Sequence, residues 1–200
     1  MAETASVNLD DAVLVERCRH GDSAAMERLI LKYQNRIYNV ILKMCANRDD
    51  AAELAQETFV KIIENIDRFE SRSGFYTWAF RIAVNLTLNY CQRQARHSHA
   101  SLDADNDERD RQARATLRQY LSDDSCPDPA QAAQNNELCR LVEKALARLD
   151  EAQRTVIILR DIEGMSYTQI AKVLNVELGT VKSRLSRARG SLKEILESML

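Results

Sequence analysis

Ser166-Tyr-Thr-Gln-Ile-Ala-Lys-Val-Leu-Asn-Val176, followed by Glu-Leu-Gly-Thr180-Val-Lys-Ser-Arg-Leu-Ser-Arg-Ala-Arg189, reads as two short helices around a tight turn. Ser166 suits an N-cap, because its hydroxyl can accept from orphan N–H groups of the first turn. Ile170, Ala171 and Leu174 recur at three to four residues and predict a small apolar face. Asn175 can adopt the left-handed conformation that ends a helix, and Thr180 is expected to cap the next one. There, Val181, Leu185, Ala188 and Leu192 predict a buried stripe, which leaves Lys182, Ser183, Ser186, Arg187 and Arg189 outside. Between Ser166 and Glu194 six basic residues stand against two acidic ones. Small hydroxyls allow close approach to a major groove and arginine can fork onto a guanine edge, so the pattern points to duplex DNA.

Outward from this stretch, the 200 residues leave room for one or two domains, and 45% hydrophobic content is enough for real cores. Five glycines and two prolines leave few turns, which favours an all-α fold. No run of apolar residues is long enough to span a bilayer, and the N-terminus lacks the basic start and apolar core of a signal peptide. The expected location is cytoplasmic. Five scattered cysteines without a Cys-x-x-Cys pair fit a reducing compartment. Cys91, His97 and His99 match no standard metal spacing, and no cofactor is expected. Net charge is −2, so contact with nucleic acid must come from local patches.

Toward the N-terminus, Asp10 to Arg19 predicts a first helix, and Asp22 caps a second in which Met26, Leu29, Ile30, Tyr33, Ile37, Val40, Ile41 and Met44 make a wide apolar face. A third helix is expected from about Ala51 to Ile66, with Leu54, Ala55, Thr58, Phe59, Ile62, Ile63 and Ile66 inside. Glu53, Gln56, Glu57, Lys61 and Glu64 then lie mainly outside, either as a solvated face or as a docking surface. Asp67 to Gly74 reads as a loop. The following helix should bury Trp78, Ala79, Ile82, Leu86 and Tyr90. From Ser71 to Leu102 there is no acidic residue, and Arg81, Asn85, Leu88, Gln92 and Arg96 share a face. Aromatics, amides and arginines together suit capture of single-stranded DNA, although aromatics beside a basic helix also occur in plain cores. From His97 to about Ala133 the periodicity fails and aspartates dominate, which predicts an acidic flexible linker. Helical period returns with Leu138, Leu141, Val142, Ala145, Leu146 and Leu149. Thr155-Val-Ile-Ile-Leu159 has strand propensity but no partner strand in view, so it is expected to be a buried helix.

Three of these segments, Asp50-Ala-Ala-Glu-Leu-Ala-Gln-Glu57, Phe75-Tyr-Thr-Trp78 with Arg81-Ile-Ala-Val-Asn85, and Ser166 to Ala171 with Gly179 to Arg189, closely resemble the extracytoplasmic-function sigma factors of bacterial RNA polymerase. The resemblance implies two small helical domains: a sigma2-like four-helix domain at 1–97 and a sigma4-like helix-turn-helix domain at 135–200, joined by a linker at 98–134. It implies that the first binds the β′ clamp helices of the polymerase core and melts the −10 promoter element, and that the second binds the β flap and reads the −35 element. Carried over to this chain, Glu53, Gln56 and Glu57 would face the clamp. Phe69, Phe75, Tyr76, Arg81, Asn85 and Asn89 would meet the melted strand. Lys182, Ser183, Ser186 and Arg187 would meet −35 bases, with Thr180 and Arg184 near phosphates. An anti-sigma partner is also implied. Glu177 stands where the family often has proline, and Leu88 where many members have a basic residue. The rival readings are a stand-alone helix-turn-helix regulator that binds duplex DNA without polymerase, and an enzyme. No phosphate loop, metal-ligand cluster or nucleophile motif supports the enzyme.

Overall fold

The computed structural model describes residues 2–69, 74–100 and 140–199. Every regular element among them is helical. The first lobe holds α1 (Ala2–Arg19), α2 (Ser23–Cys45), α3 (Arg48–Asn65), a 3-10 turn (Ile66–Arg68) and α4 (Phe75–Ala100). The second holds α5 (residues 140–148), α6 (Glu151–Ile157) running into a π turn (Ile158–Ile162), α7 (Tyr167–Leu174) and α8 (Leu178–Glu197). The expected linker beyond residue 100 lies outside the described residues, as do residues 70–73 of the expected loop.

Caps set the boundaries. The Asp22 carboxylate accepts from the Ala25 N–H at 3.1 Å and starts α2. Ala46, at φ 58, ends it in the left-handed conformation. The Asn47 side chain accepts from the N–H groups of Asp49 and Asp50, so α3 begins at Arg48, three residues before the expected Ala51. Helix α1 starts at Ala2, well before the expected Asp10, because neither glycine nor proline interrupts the chain before Gly21.

Most of the α2 stripe is buried as its spacing demands: Leu29, Tyr33, Ile37, Val40, Ile41 and Met44 are at most 2% exposed, while Met26 and Ile30 are half-buried. Thr58 and Thr87 are also buried, and each returns its hydroxyl to a backbone carbonyl one turn earlier, Leu54 and Ala83 respectively. Two expectations need correction. Ile63 lies outside at 47% exposure, because Leu54, Ala55, Thr58 and Ile62 already fill the inward arc of α3. In α4 the most deeply buried positions are Phe75, Ala79, Phe80, Ala83, Val84 and Thr87, while Trp78, Ile82, Leu86 and Tyr90 are only partly covered. The cause is tertiary: α4 packs on α2 and α3 and also carries α7 from the second lobe, so its covered arc is wider than one stripe and its centre is displaced.

The two lobes share one core. Ile158, Leu159, Met165, Ile170, Val173 and Val181 belong to the same apolar cluster as Ile37, Phe80 and Val84. Burial holds Thr155 to Ile157 helical against their β-branched preference, and Ile158 and Leu159 continue into the π turn. Arg154 ties the arrangement at its edge. Its guanidinium donates to the carbonyls of Leu146, Ala147 and Leu149 at the end of α5, and to the Met44 carbonyl of α2 at 2.9 Å. Those are carbonyls that helix ends leave unpaired, and a cation is favoured there.

Candidate nucleic-acid interface

The helix-turn-helix forms from the residues expected. The Ser166 hydroxyl accepts from the Gln169 N–H at 3.2 Å, and the Gln169 side chain accepts from the Ser166 N–H at 2.8 Å, completing a capping box. Asn175 takes φ 52, and its N–H donates to the Ala171 carbonyl. Gly164 at φ 68 makes the preceding turn. Thr180 is not the cap of α8. Glu177 holds that position without a side-chain cap bond, and the Val181 N–H already donates to the Glu177 carbonyl at 3.2 Å, which places Thr180 inside the first turn.

Val181, Leu185 and Ala188 are buried, and Leu192 is half-buried. Lys182, Ser183, Ser186 and Arg187 stand in water on the opposite arc, with Thr180 and Arg184 half-buried at its margins. Arg187 lies back along its own helix, its Nε donating to the Ser183 carbonyl at 3.4 Å. Arg189, although exposed, is engaged by Asp161 at 2.5 Å. The free surface is therefore a short run of hydroxyls flanked by cations.

On α4, Arg81, Asn85 and Asn89 are exposed at intervals of four and make one outward row. Asn89 continues into a shallow cavity of about 270 Å³ with Gln92, Arg93 and Arg96. Phe69 and Phe75 are placed differently from the expectation. They are 4% and 3% exposed, within an aromatic cluster in which Phe69 lies 5.2 Å from Trp78 and Phe75 lies 5.5 Å from Tyr33, centroid to centroid. Neither ring is available to a base without leaving the core. Their clustering in sequence marks the support of the surface, and spacing cannot separate support from surface when helices cover both sides. Tyr76 remains half-buried at the edge, 4.3 Å from the Phe80 ring. Burial pushes its hydroxyl well above the usual tyrosine range, with Arg36 opposing and Glu163 adding to the shift. Leu88 is half-buried against the core, which accounts for an apolar residue in that row.

Arg36 and Glu163 escaped the sequence reading. Arg36 comes from α2 and sits over the Tyr76 ring at 4.6 Å, and Glu163 reaches it from the second lobe. Their sequence positions share no element and no period with Tyr76, so spacing carries no sign of them.

Glu53, Gln56 and Glu57 are exposed together on α3, and Val60 and Ile63 continue the same surface in apolar form. Between α3 and α4 lies an open cavity of about 310 Å³ whose lining includes Glu53, Glu57, Tyr90 and Arg93. Burial, then a hydrogen bond with Asp50, pushes the Tyr90 hydroxyl up to about 12. Among the described residues no cluster of His, Cys, Asp or Glu could hold a metal ion. No described helix is long and apolar enough to cross a membrane.

Known families match both blocks in order. Residues 29–97 match the Sigma-70 region 2 family and residues 139–192 match Sigma-70 region 4. The ECF RNA polymerase sigma-E factor of Haemophilus influenzae is 33% identical over 196 residues, covering 96% of this chain and 98% of that protein. The RNA polymerase sigma-H factor of Pseudomonas aeruginosa is 34% identical over 190 residues, 95% of each chain. In fold, the chain is similar to CnrH in complex with the cytosolic domain of CnrY (TM-score 0.66, 24% identity, covering 94% of this chain and 98% of that one). It is also similar to the sigma factor RpoE of Bartonella quintana in complex with the anti-sigma factor NepR (TM-score 0.62, 24% identity, 86% and 96%). A stand-alone regulator would need only the helix-turn-helix, whereas here the first helical block is matched as well. On the identity to the sigma-E and sigma-H factors along almost the entire length, this chain belongs to the extracytoplasmic-function sigma factors of the sigma-70 family.

Proposed function

We propose that the two exposed faces divide promoter recognition between them. As a sigma factor, the chain directs RNA polymerase core to specific promoters and starts transcription there. In our reading α8 enters the major groove of the −35 element. Lys182, Ser183, Ser186 and Arg187 then approach base edges, and Thr180 and Arg184 lie near phosphates. The observation that carries this is the burial of Val181, Leu185 and Ala188, which turns those side chains outward as a set. Tyr76, Arg81, Asn85 and Asn89 take the melted −10 strand, with Phe69 and Phe75 as the packed floor beneath them. Glu53, Gln56 and Glu57 meet the β′ clamp helices, where acidic side chains suit basic partners, and the second lobe meets the β flap.

Opening a promoter costs stacking and pairing energy of about 1–2 kcal/mol per base-pair step. Stacking a base on protein returns about 1–3 kcal/mol. Two weak modules therefore gain from being held by one polymerase. We further infer an anti-sigma partner, because the similar RpoE structure holds one. The chain works in the cytoplasm and performs no catalysis of its own. Run-off transcription with purified core polymerase on candidate promoters tests the reading. Promoter-specific transcripts are expected only when the chain is added, and core polymerase indifferent to the chain would overturn it.

A further inference from the structure

Glu163 leaves the π turn just before Gly164, and its carboxylate is directed at the first lobe with the side chain only 8% exposed. A single oxygen, Oε2, accepts from Arg36 Nη2 at 3.1 Å, from Arg36 Nε at 3.3 Å and from the Tyr76 hydroxyl at 3.3 Å. Arg36 also donates to the Tyr76 hydroxyl at 3.1 Å and lies over the Tyr76 ring. Two guanidinium donors and a hydroxyl converging on one anionic oxygen form the arrangement by which proteins hold a backbone phosphate. The Arg36 guanidinium is half exposed, so another anion can reach it once the Glu163 carboxylate withdraws. Tyr76 stands in the first turn of α4, the helix that also carries the row of Arg81, Asn85 and Asn89.

We propose that Arg36 and Tyr76 form a binding site for a backbone phosphate of single-stranded promoter DNA, and that Glu163 occupies it as an internal stand-in while the lobes are together. This rests on the strand-binding reading of α4. It adds Arg36 of α2 to the nucleic-acid surface and makes release of Glu163 a condition for full contact with the strand. The second lobe then competes with DNA for the first lobe through one carboxylate. Exchange of anions needs no covalent step.

The test compares the full-length chain with Glu163→Gln, Arg36→Gln and the double variant. The probe is a fluorescein-labelled single-stranded oligodeoxynucleotide of mixed sequence, followed by anisotropy across a potassium chloride series. Glu163→Gln is expected to tighten binding about tenfold, a usual size for coupling between two sites. Arg36→Gln should abolish that gain. In the Glu163→Gln background it should also lower the slope of log K against log salt by about 0.7, the value of one single-strand phosphate contact. Glu64→Gln, an exposed carboxylate on α3, serves as a charge control and should change nothing. Both test positions keep side chains of similar size, and thermal melting by circular dichroism checks that each variant folds. Equal tightening by Glu163→Gln with and without Arg36, or an unchanged salt slope on removing Arg36, would overturn the site. Run-off transcription by the unaltered chain is measured in parallel. Its presence alongside an unchanged slope sinks only the phosphate site, whereas its absence sinks the larger reading.

Discussion

Helix α8 turns one narrow stripe, Val181, Leu185 and Ala188, inward and leaves the opposite arc in water. Helix α4 is covered on two sides, by α2 and α3 and by α7, so only Arg81, Asn85, Asn89 and the residues beyond them stay free over most of its length. The helix proposed to face duplex is thus a surface set by one buried stripe packed against its neighbours. The helix proposed to face the strand packs on a floor of rings, Phe69, Phe75, Trp78 and Phe80, and the aromatic in its first turn, Tyr76, is held by groups from two other elements. Reading a closed groove needs a rigid, simple projection. Holding an unpaired strand needs a supported face, and on the face proposed for it only Tyr76 is shown bonded to the other lobe.

Perturbing the floor should have the largest effect. Phe80 is completely buried and packs against Tyr76. Phe80→Ala should lower the unfolding free energy by about 3–5 kcal/mol, measured by urea denaturation. A loss near zero would mean that α4 shifts to refill the space, and the contrast with α8 would weaken. Arg187→Ala removes an exposed side chain with no packing role. It should cost about 1–3 kcal/mol of base discrimination at the −35 element, read as start-site selectivity on a promoter library, while polymerase binding stays unchanged. Unchanged selectivity would break the assignment of α8 as the duplex reader.

Asn85→Ala is expected to act on opening rather than on selection. It should slow permanganate reactivity of −10 thymines about three- to tenfold, the loss of one hydrogen bond, with duplex binding intact. Equal effects on both readouts would merge the two faces. The smallest effect is alkaline. Asp11 is buried, and it accepts from Lys32 at 2.7 Å and from the Tyr33 hydroxyl. Burial and that hydrogen bond raise Tyr33 well above its ordinary 10.0. Burial pulls Lys32 down, but its bonds to Asp11 and Asp10 outweigh this and leave it raised from 10.5. The folded chain therefore keeps protons that the unfolded chain releases. Stability should be complete below pH 10.0 and fall as pH rises above it, measured by urea midpoints at successive pH values. Tyr33→Phe should flatten that fall, and a stability that instead rises above pH 10.0 would refute the account.

Elements governed by local chemistry were legible in the sequence. Ser166 and Asn175 form a cap and a stop within a turn or two, so their roles follow from residue type. The stripe of α2 was legible for the same reason, since one face of a long helix is buried against one set of neighbours. Thr180 misled because Ser, Thr and Asp signal a cap only when the backbone has not already entered the helix. Ile63, Phe69 and Phe75 misled for another reason. Whether an apolar side chain lies inside depends on which partners the fold brings, and here Phe75 closes against Tyr33 of α2 and Phe69 against Trp78 of α4. Arg36, Tyr76 and Glu163 meet only in three dimensions, so no window along the chain could have joined them.

The core common to both lobes has a consequence for the chain's fate. Pulling the lobes apart brings Ile158, Met165, Ile170 and Val173 toward water together with the side of α4 they cover. Such greasy flanks invite self-association and attack by proteases unless something shields them. An opened molecule is therefore short-lived when alone and long-lived when bound, which ties the working lifetime of this protein to whatever it is bound to.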